Sequence, residues 1–173
     1  FTKLNGYWPG DRATTVAFSP DGQLLASGTV DGMINIWNTS NWQIITQKEA
    51  HPNKKVRSVA FSPELDGQQL LLSGSVNTIK IRNAKTGDLM VELKGHDADV
   101  NTVAFSPDGQ FLASILRDNT VKIWDTSTSD WELKHEIENA DWVRTVAFSR
   151  DSQLLASGLD DFNVIIWRPS TEE

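Results

Sequence analysis

The sequence of 173 residues contains no cysteine, which excludes disulfides, thiolate metal ligands and cysteine nucleophiles. It also lacks an apolar run of the roughly 18 residues that a transmembrane helix needs. The first residues, FTKLNGYWPG, lack the apolar segment of a secretory signal peptide. These absences predict a cytoplasmic protein without membrane contact. The chain does not begin with methionine, which fits a processed or excised piece of a longer protein.

Basic residues are outnumbered, because 16 lysines and arginines face 23 aspartates and glutamates, for a net charge of −7. An acidic chain gains nothing from counterion release on DNA or RNA, so nucleic acid is disfavoured as a partner. The one basic cluster, Lys54, Lys55 and Arg57, is most simply a solvated loop. Phosphate-binding glycine-rich loops, the HExxH pattern and calcium-loop patterns are missing, and the three histidines do not have metal-ligand spacing. No metal or cofactor is predicted.

The sequence repeats itself four times. VAFSPDGQLLASG begins at Val16, and related segments begin at Val59, Val103 and Val146, at intervals of 43, 44 and 43 residues. A second element follows each: INIW, IKIR, VKIW and VIIW. A fixed period of this length indicates a repeat architecture, with one supersecondary unit in each repeat.

Each repeat contains short segments typical of β-strands. TVAFS is followed by a Pro and Asp-Gly turn, QLLAS by a polar turn, and the β-branched run by a fourth, less regular strand in the first three repeats. Four strands in about 43 residues match a propeller blade, and no segment has sustained helical periodicity. Apolar residues occupy both faces of the strands, which predicts sheets stacked on both sides.

With four copies of VAFS and a closing tryptophan in three repeats, the chain resembles the WD-repeat (WD40-type) β-propeller family along nearly its whole length. The resemblance implies an all-β fold of four-stranded antiparallel blades, four in the chain. Residues 1–173 then form one propeller domain or half-propeller, with an outer strand at about 1–4 and blades beginning near 13, 56, 100 and 143. The repeats are closely similar to one another, and in this they resemble bacterial WD arrays attached to kinase or nucleotide-switch regulators.

The resemblance further implies that each blade is fastened by a buried hydrogen-bond chain of histidine, serine, aspartate and tryptophan. The third repeat has all four residues, whereas Tyr7 and Asn139 stand at the histidine position of the first and fourth. The expected members are His96, Ser114, Asp118 and Trp124 in the third repeat, Ser27, Asp31 and Trp37 in the first, and Ser157, Asp161 and Trp167 in the fourth. The same residue types recur at repeat spacing and no G-x-S-x-G elbow is present, so a catalytic triad is rejected.

The second repeat departs most from this pattern. It keeps His51, but Arg82 replaces the tryptophan. Alignment without gaps places Leu72 at the serine position and Val76 at the aspartate position, whereas a gap of one residue recovers Ser73. A two-residue insertion, Glu64-Leu65, enlarges the first turn. We expect this blade to be the least stable.

The two ends of the chain match each other. FTKL resembles the outer strand VELK, and the fourth repeat has no outer strand of its own. We expect the N-terminal strand to complete a last blade, and two chains to join head to tail into an eight-bladed ring. The alternatives are a monomeric four-bladed ring and a fragment of a longer propeller. A four-bladed ring needs about 90° between neighbouring blades, whereas an eight-bladed ring needs about 45°.

In the family the loops before the first strands and the turns before the third strands, here called the upper face, commonly bind proteins or peptides. Trp142 with Arg144 and Arg117 has the composition of an interface hot spot, the alternative being that Trp142 packs over its own blade. The twelve candidates, all expected to be exposed, are Arg12, Thr14, Val30, Lys55, Arg57, Ser75, Asp99, Asn101, Arg117, Trp142, Arg144 and Asp160.

A non-catalytic interaction scaffold or sensor module is therefore predicted. The alternative is a propeller enzyme or small-ligand binder that uses the central channel. That function needs convergent acids, histidines or metal ligands on the innermost strands, which read TVAFS or SVAFS.

Overall fold

The computed structural model describes residues 12–65, 67–128, 130–139 and 141–171. Within these ranges the helices and strands consist of β-strands alone. The strands form four antiparallel sheets that follow one another along the chain. The predicted all-β architecture of successive propeller blades is confirmed.

The first three blades have four strands each, paired in chain order. Blade 1 contains β1 (Ala13–Phe18), β2 (Leu24–Thr29), β3 (Met33–Asn38) and β4 (Ile44–Glu49). Blade 2 contains β5 (Ser58–Phe61), β6 (Leu70–Ser75), β7 (Thr78–Asn83) and β8 (Leu89–Leu93). Blade 3 contains β9 (Val100–Phe105), β10 (Phe111–Leu116), β11 (Thr120–Asp125) and β12 (Glu132–Glu138).

Blade 4 has three strands among the described residues, in the order β13 (Val143–Phe148), β14 (Leu155–Leu159) and β15 (Val164–Trp167). The N-terminal strand expected at residues 1–4 lies outside the described residues, as does Tyr7. The first strands of successive blades, β1, β5, β9 and β13, pack side by side in that order. The blades are therefore arranged around a common inner edge.

The turns joining the first and second strands of blades 1, 3 and 4 repeat one hydrogen-bond pattern. In blade 1 the Oγ of Ser19 donates to Asp21, while the backbone N–H groups of Gln23 and Leu24 donate to the Asp21 carboxylate and the Ser19 hydroxyl. Gly22 has a φ of 71°, a left-handed conformation that glycine adopts without steric cost. These bonds hold the pKa of Asp21 below its usual value. Blade 4 makes the same bonds with Ser149 and Asp151, so the serine and the aspartate are the residues that specify this turn.

Each blade has two apolar faces. The back face, which contacts the preceding blade, is formed in blade 2 by Val59, Phe61 and Leu71. The front face, which contacts the following blade, is formed in blade 1 by Ala17 on β1 and by residues of β2 and β3, chiefly Ala26, Ile34 and Ile36. The same arrangement joins blade 2 to blade 3 and blade 3 to blade 4. Because both faces are buried, the strands are apolar at odd and even positions alike.

The back face of blade 1 is open. Val16 and Phe18 are 64% and 60% exposed, whereas Val59 and Phe61, at the equivalent positions of blade 2, are 6% and 7% exposed. Trp42 follows the same rule, since it is 38% exposed while its counterpart Trp131 is buried and meets Phe105 edge to face. Trp131 thus packs in a blade joint that Trp42 lacks.

The front face of blade 4 is open in the same way. Val164 and Ile166 on β15 are 67% and 54% exposed. Their counterparts in the other three blades are at most 1% exposed: Ile34, Ile79 and Val121 for the first, and Ile36, Ile81 and Ile123 for the second. The described blades therefore form an arc that ends in one unpaired back face and one unpaired front face.

Candidate protein-binding face

Backbone hydrogen bonds hold the loops of the upper face together within each blade. The turn before the third strand donates to the loop before the first strand, as Arg117 N does to Asp99 O (2.9 Å) and Asp160 N to Trp142 O (3.0 Å). In blade 2 the hydroxyl of Ser75 donates to Lys55 O (2.7 Å). Ser75 is fully buried, so the expectation that its side chain is exposed was wrong.

A cavity of about 200 Å³ opens on this face between blades 2, 3 and 4. Five of the predicted residues line it, together with Val143, which the sequence did not single out. The lining consists of Arg57, Asn101, Arg117, Trp142, Val143 and Arg144. Candidates from three separate repeats are thus brought together, because the first strands pack side by side.

Arg57 and Arg117 share one carboxylate. Arg57 Nη2 donates to Asp99 Oδ2, across the joint between blades 2 and 3. Arg117 Nη1 lies 3.6 Å from the same oxygen, and its side chain is half exposed. Arg57 Nε is buried and has no hydrogen-bond partner among the described residues.

Arg144 and Trp142 form the third side of the cavity. The guanidinium of Arg144 makes bidentate hydrogen bonds to the Asp160 carboxylate. It lies 4.8 Å from the ring centre of Trp142, a cation–π arrangement. Asp160 raises the pKa of Arg144, and Arg144 lowers the pKa of Asp160. Trp142 is 45% exposed, so much of its ring faces solvent and is available to a partner.

The remaining candidates lie on the upper face but do not line this cavity. Arg12, Val30 and Lys55 are exposed, and Val30 N donates to Arg12 O. Thr14 is half-buried, and its hydroxyl lies within hydrogen-bond distance of two carbonyl oxygens, Gly28 O in blade 1 and Val56 O beside blade 2. The blade 1 side of the face is therefore separate from the arginine-lined cavity.

In blade 3, three of the four members of the expected hydrogen-bond chain meet. Trp124 Nε1 donates to Ser114 Oγ (3.1 Å), His96 Nε2 lies 3.4 Å from the same oxygen, and the two rings are 5.1 Å apart. Asp118 instead accepts from Thr120 N in its own exposed turn. Asp161 does the same with Asn163 N, and Asp31 accepts from Thr29 Oγ1.

The other blades keep parts of the chain. In blade 4, Trp167 Nε1 donates to Ser157 Oγ (3.0 Å), while the Asn139 side chain donates to Asn119 O. In blade 1, Ser27 and Trp37 are both buried. In blades 3 and 4 the serine thus accepts the bond from the tryptophan, while the aspartate stabilises a turn.

In blade 2 the serine position is held by Ser73. It pairs with Val59, as Ser27 pairs with Val16, and its Oγ lies 2.9 Å from His51 Nε2. The alignment with a gap of one residue was therefore the right one. Arg82, buried at the tryptophan position, donates through Nη1 to Gly87 O.

Two lysines, which sequence reasoning missed, lie beside the histidines: Lys122 is buried and Lys80 is half-buried. Lys80 Nζ donates to Ala50 O and Lys122 Nζ to Gly95 O, in each case the carbonyl just before the histidine. Burial first, and these ammonium groups second, lower the pKa of His51 and of His96 to about 4. The matching lysine in IKIR and VKIW was the available signal.

Similarity to known proteins follows the repeats. The family model described as WD domain, G-beta repeat, matches residues 2–38, 87–125 and 131–168. This chain belongs to the WD40-repeat family. It is 33% identical over 126 residues to WD repeat-containing protein SL1-17 of Schistosoma mansoni, which covers 71% of this chain. It is 37% identical over 120 residues, 65% of its length, to nuclear distribution protein PAC1 of Arthroderma benhamiae.

Among solved structures, a chain of the "Crystal Structure of Mitotic Checkpoint Complex" covers 90% of this WD40 chain with a TM-score of 0.78 and 28% identity. The WD40 chain spans 40% and 26% of the two relatives and 48% of that solved chain. Among its described residues, no helix could cross a bilayer. No group of three or more histidines or acidic residues in the same ranges is placed to hold a metal.

Proposed function

We propose that this WD40 chain is a non-catalytic interaction module whose upper face binds a protein or peptide partner. The observation that carries the proposal is the cavity lined by an exposed tryptophan and three arginines. Tryptophan and arginine are enriched at the energetic centres of interfaces. The described lining contains no carboxylate, imidazole or hydroxyl group to act as acid, base or nucleophile.

The experiment compares proteins captured by immobilised variants from cells of the source organism. Trp142→Ala should lose specific partners that the wild-type chain retains, whereas Met90→Ala, which truncates an exposed side chain of the outer strand β8 away from the upper face, should retain them. Quantitative mass spectrometry of the captured proteins is the readout. Equal capture by Trp142→Ala and wild type would overturn the assignment of partner binding to this cavity.

We propose in addition that two copies of the chain join through the open ends of the arc. The support is the likeness of these ends to the joints inside the chain. Every internal joint packs a front face on a back face, and the open ends provide one of each. A second copy placed head to tail would therefore repeat the same joint twice and close an eight-bladed ring with two-fold symmetry.

The mass in solution tests this association. The chain mass is 19.3 kDa, and light scattering during gel filtration should give twice that value. A mass of one chain at micromolar concentration would rule out the shared ring.

The cytoplasmic location stays a prediction from the sequence.

A further inference from the structure

We infer that the cavity between blades 2, 3 and 4 recognises an anionic side chain, a carboxylate or a phosphoryl group, in an extended peptide segment of the partner. This inference rests on the proposed interaction function and names the chemistry of what is bound. It depends on the positive charge of the cavity lining, the spare donors of its arginines and the size of the cavity.

The cavity is cationic in an acidic protein. Three guanidinium groups line it, and the two carboxylates that pair with them, Asp99 and Asp160, do not belong to the lining. The Asp141 carboxylate also acts on Arg144, so the positive character belongs to the lining itself, which holds three guanidinium groups and no carboxylate, although the whole chain carries −7. An anionic group is therefore drawn to this part of the upper face.

Spare hydrogen-bond donors face the cavity. Among the described residues the only charged partner of Arg117 is Asp99, at 3.6 Å, which is too long for a hydrogen bond. Arg57 already supplies a short bond to that carboxylate. The planar fork of Arg117 is therefore free to take two oxygens of a ligand side by side, as carboxylates and phosphates prefer.

Part of the cavity lining is aromatic. The bidentate hydrogen bonds of Arg144 to Asp160 hold its guanidinium 4.8 Å from the ring centre of Trp142. The exposed part of the Trp142 ring can cover the apolar stem of an inserted side chain, and Val143, the other apolar residue of the lining, is buried. Asn101 adds an amide that can bond a peptide backbone.

The size of the cavity favours a side chain over a free small molecule. About 200 Å³ lies below the range of roughly 300–1,000 Å³ that encloses a drug-sized ligand. It suffices for one acidic side chain with part of its neighbour. An extended peptide crossing the upper face can place one residue there and keep its backbone in solvent.

The test starts from a phage-displayed library of random dodecapeptides selected on the wild-type chain. The selected peptides are synthesised with a fluorescent label, and their affinity is measured by anisotropy. We expect a recurrent aspartate or glutamate in the selected peptides. Replacing it with glutamine or asparagine should weaken binding about tenfold or more, as loss of a charge-assisted pair does.

Two variants of the chain give the matched comparison. Arg117→Gln should weaken binding of the selected peptides about tenfold. Arg150→Gln removes the same charge from the exposed turn between β13 and β14, at the other end of the blade, and should change affinity less than about twofold. A third arm replaces the acidic residue of the peptide with phosphoserine, and tighter binding of that peptide would assign the phosphoryl group as the ligand.

Weaker binding of the phosphoserine peptide would assign the carboxylate as the ligand, and three other outcomes overturn the inference. Selected peptides without a recurrent acidic residue, or affinity that Arg117→Gln and Arg150→Gln reduce equally, would show that no anion is recognised here. If Trp142→Ala still abolishes binding of such peptides, the interaction function stands and only the anionic ligand is rejected. If no peptide is selected, the inference fails, while the capture experiment continues to test the interaction function on its own.

Discussion

His51 Nε2 lies 2.9 Å from Ser73 Oγ in blade 2, and His96 Nε2 lies 3.4 Å from Ser114 Oγ in blade 3. Both imidazoles are at most 3% exposed, and a lysine ammonium bonds to the carbonyl just before each ring. The two blades therefore bury a neutral histidine in the same place, although blade 2 has lost the tryptophan. This shared feature makes stability depend on pH.

Acidification should destabilise the fold between pH 6.5 and about 4. In the unfolded chain these histidines take up protons near pH 6.5, whereas burial delays protonation in the folded chain to about pH 4. The unfolded state thus binds more protons in this window, and stability is lost as the pH falls. Each histidine contributes up to roughly 3 kcal/mol. Urea titrations at pH 7.5, 6, 5 and 4.5 measure the slope.

Variants assign this slope to the buried rings. His96→Gln should flatten the pH dependence, while His135→Gln, which leaves both buried histidines in place, should preserve it. An unchanged slope in His96→Gln would show that acid sensitivity has another origin.

Substitution of an end-face residue should prevent association. Val164→Asp places a charge on the exposed front face of blade 4, where self-association would otherwise bury an apolar side chain. We expect light scattering to give the mass of one chain for this variant and of two for wild type. Val30→Asp introduces the same charge at a 40% exposed valine of the upper face and should remain dimeric. A dimeric Val164→Asp would place the contact elsewhere.

Gly32 should tolerate no side chain. It has a φ of 96°, and a Cβ there would lie 1.8 Å from His51 O. Gly32→Ala should therefore lower the free energy of unfolding by at least about 3 kcal/mol. Gly95→Ala is the control, because Gly95 has a φ of 88° but no atom within 4 Å of its Cβ position, and should cost only about 1 kcal/mol. Equal melting temperatures of the two variants would contradict the role of the close approach.

Restoring the tryptophan of blade 2 should stabilise it. Arg82→Trp removes a buried guanidinium whose Nε has no partner among the described residues. It also offers Ser73 the indole donor that Trp124 gives to Ser114. We expect a gain of about 1 kcal/mol in urea unfolding. Trp124→Arg is the reciprocal variant and should cost roughly 3 kcal/mol; a loss of stability in Arg82→Trp would mean that the Arg82–Gly87 bond matters more.

The local structure of this chain could be predicted from its sequence. Strand and turn signals act over a few residues, as in the Ser19–Gly22 turn. They recur every 43 or 44 residues, so a segment whose signal is weak in one repeat is assigned from the matching segments of the others. The resemblance to the WD-repeat family, which these repeats carry, implied that Ser114 and Trp124 belong to one buried arrangement and that Trp142, Arg144 and Arg117 lie on one face.

Only the tertiary structure decided which of these residues meet. Asp118 was expected beside His96 but accepts a hydrogen bond within its own turn. The side chain of an aspartate in a turn is short, so it bonds most readily to a backbone N–H two residues along the chain. The partners of Arg57 and Arg117, and the cavity between them, depend on how neighbouring blades are packed. The exposure of Val16 and Val164 depends on which blades have a neighbour, and residues with identical local sequence are buried in one blade and open in another. Local sequence therefore determines the blade, and packing determines the binding surfaces.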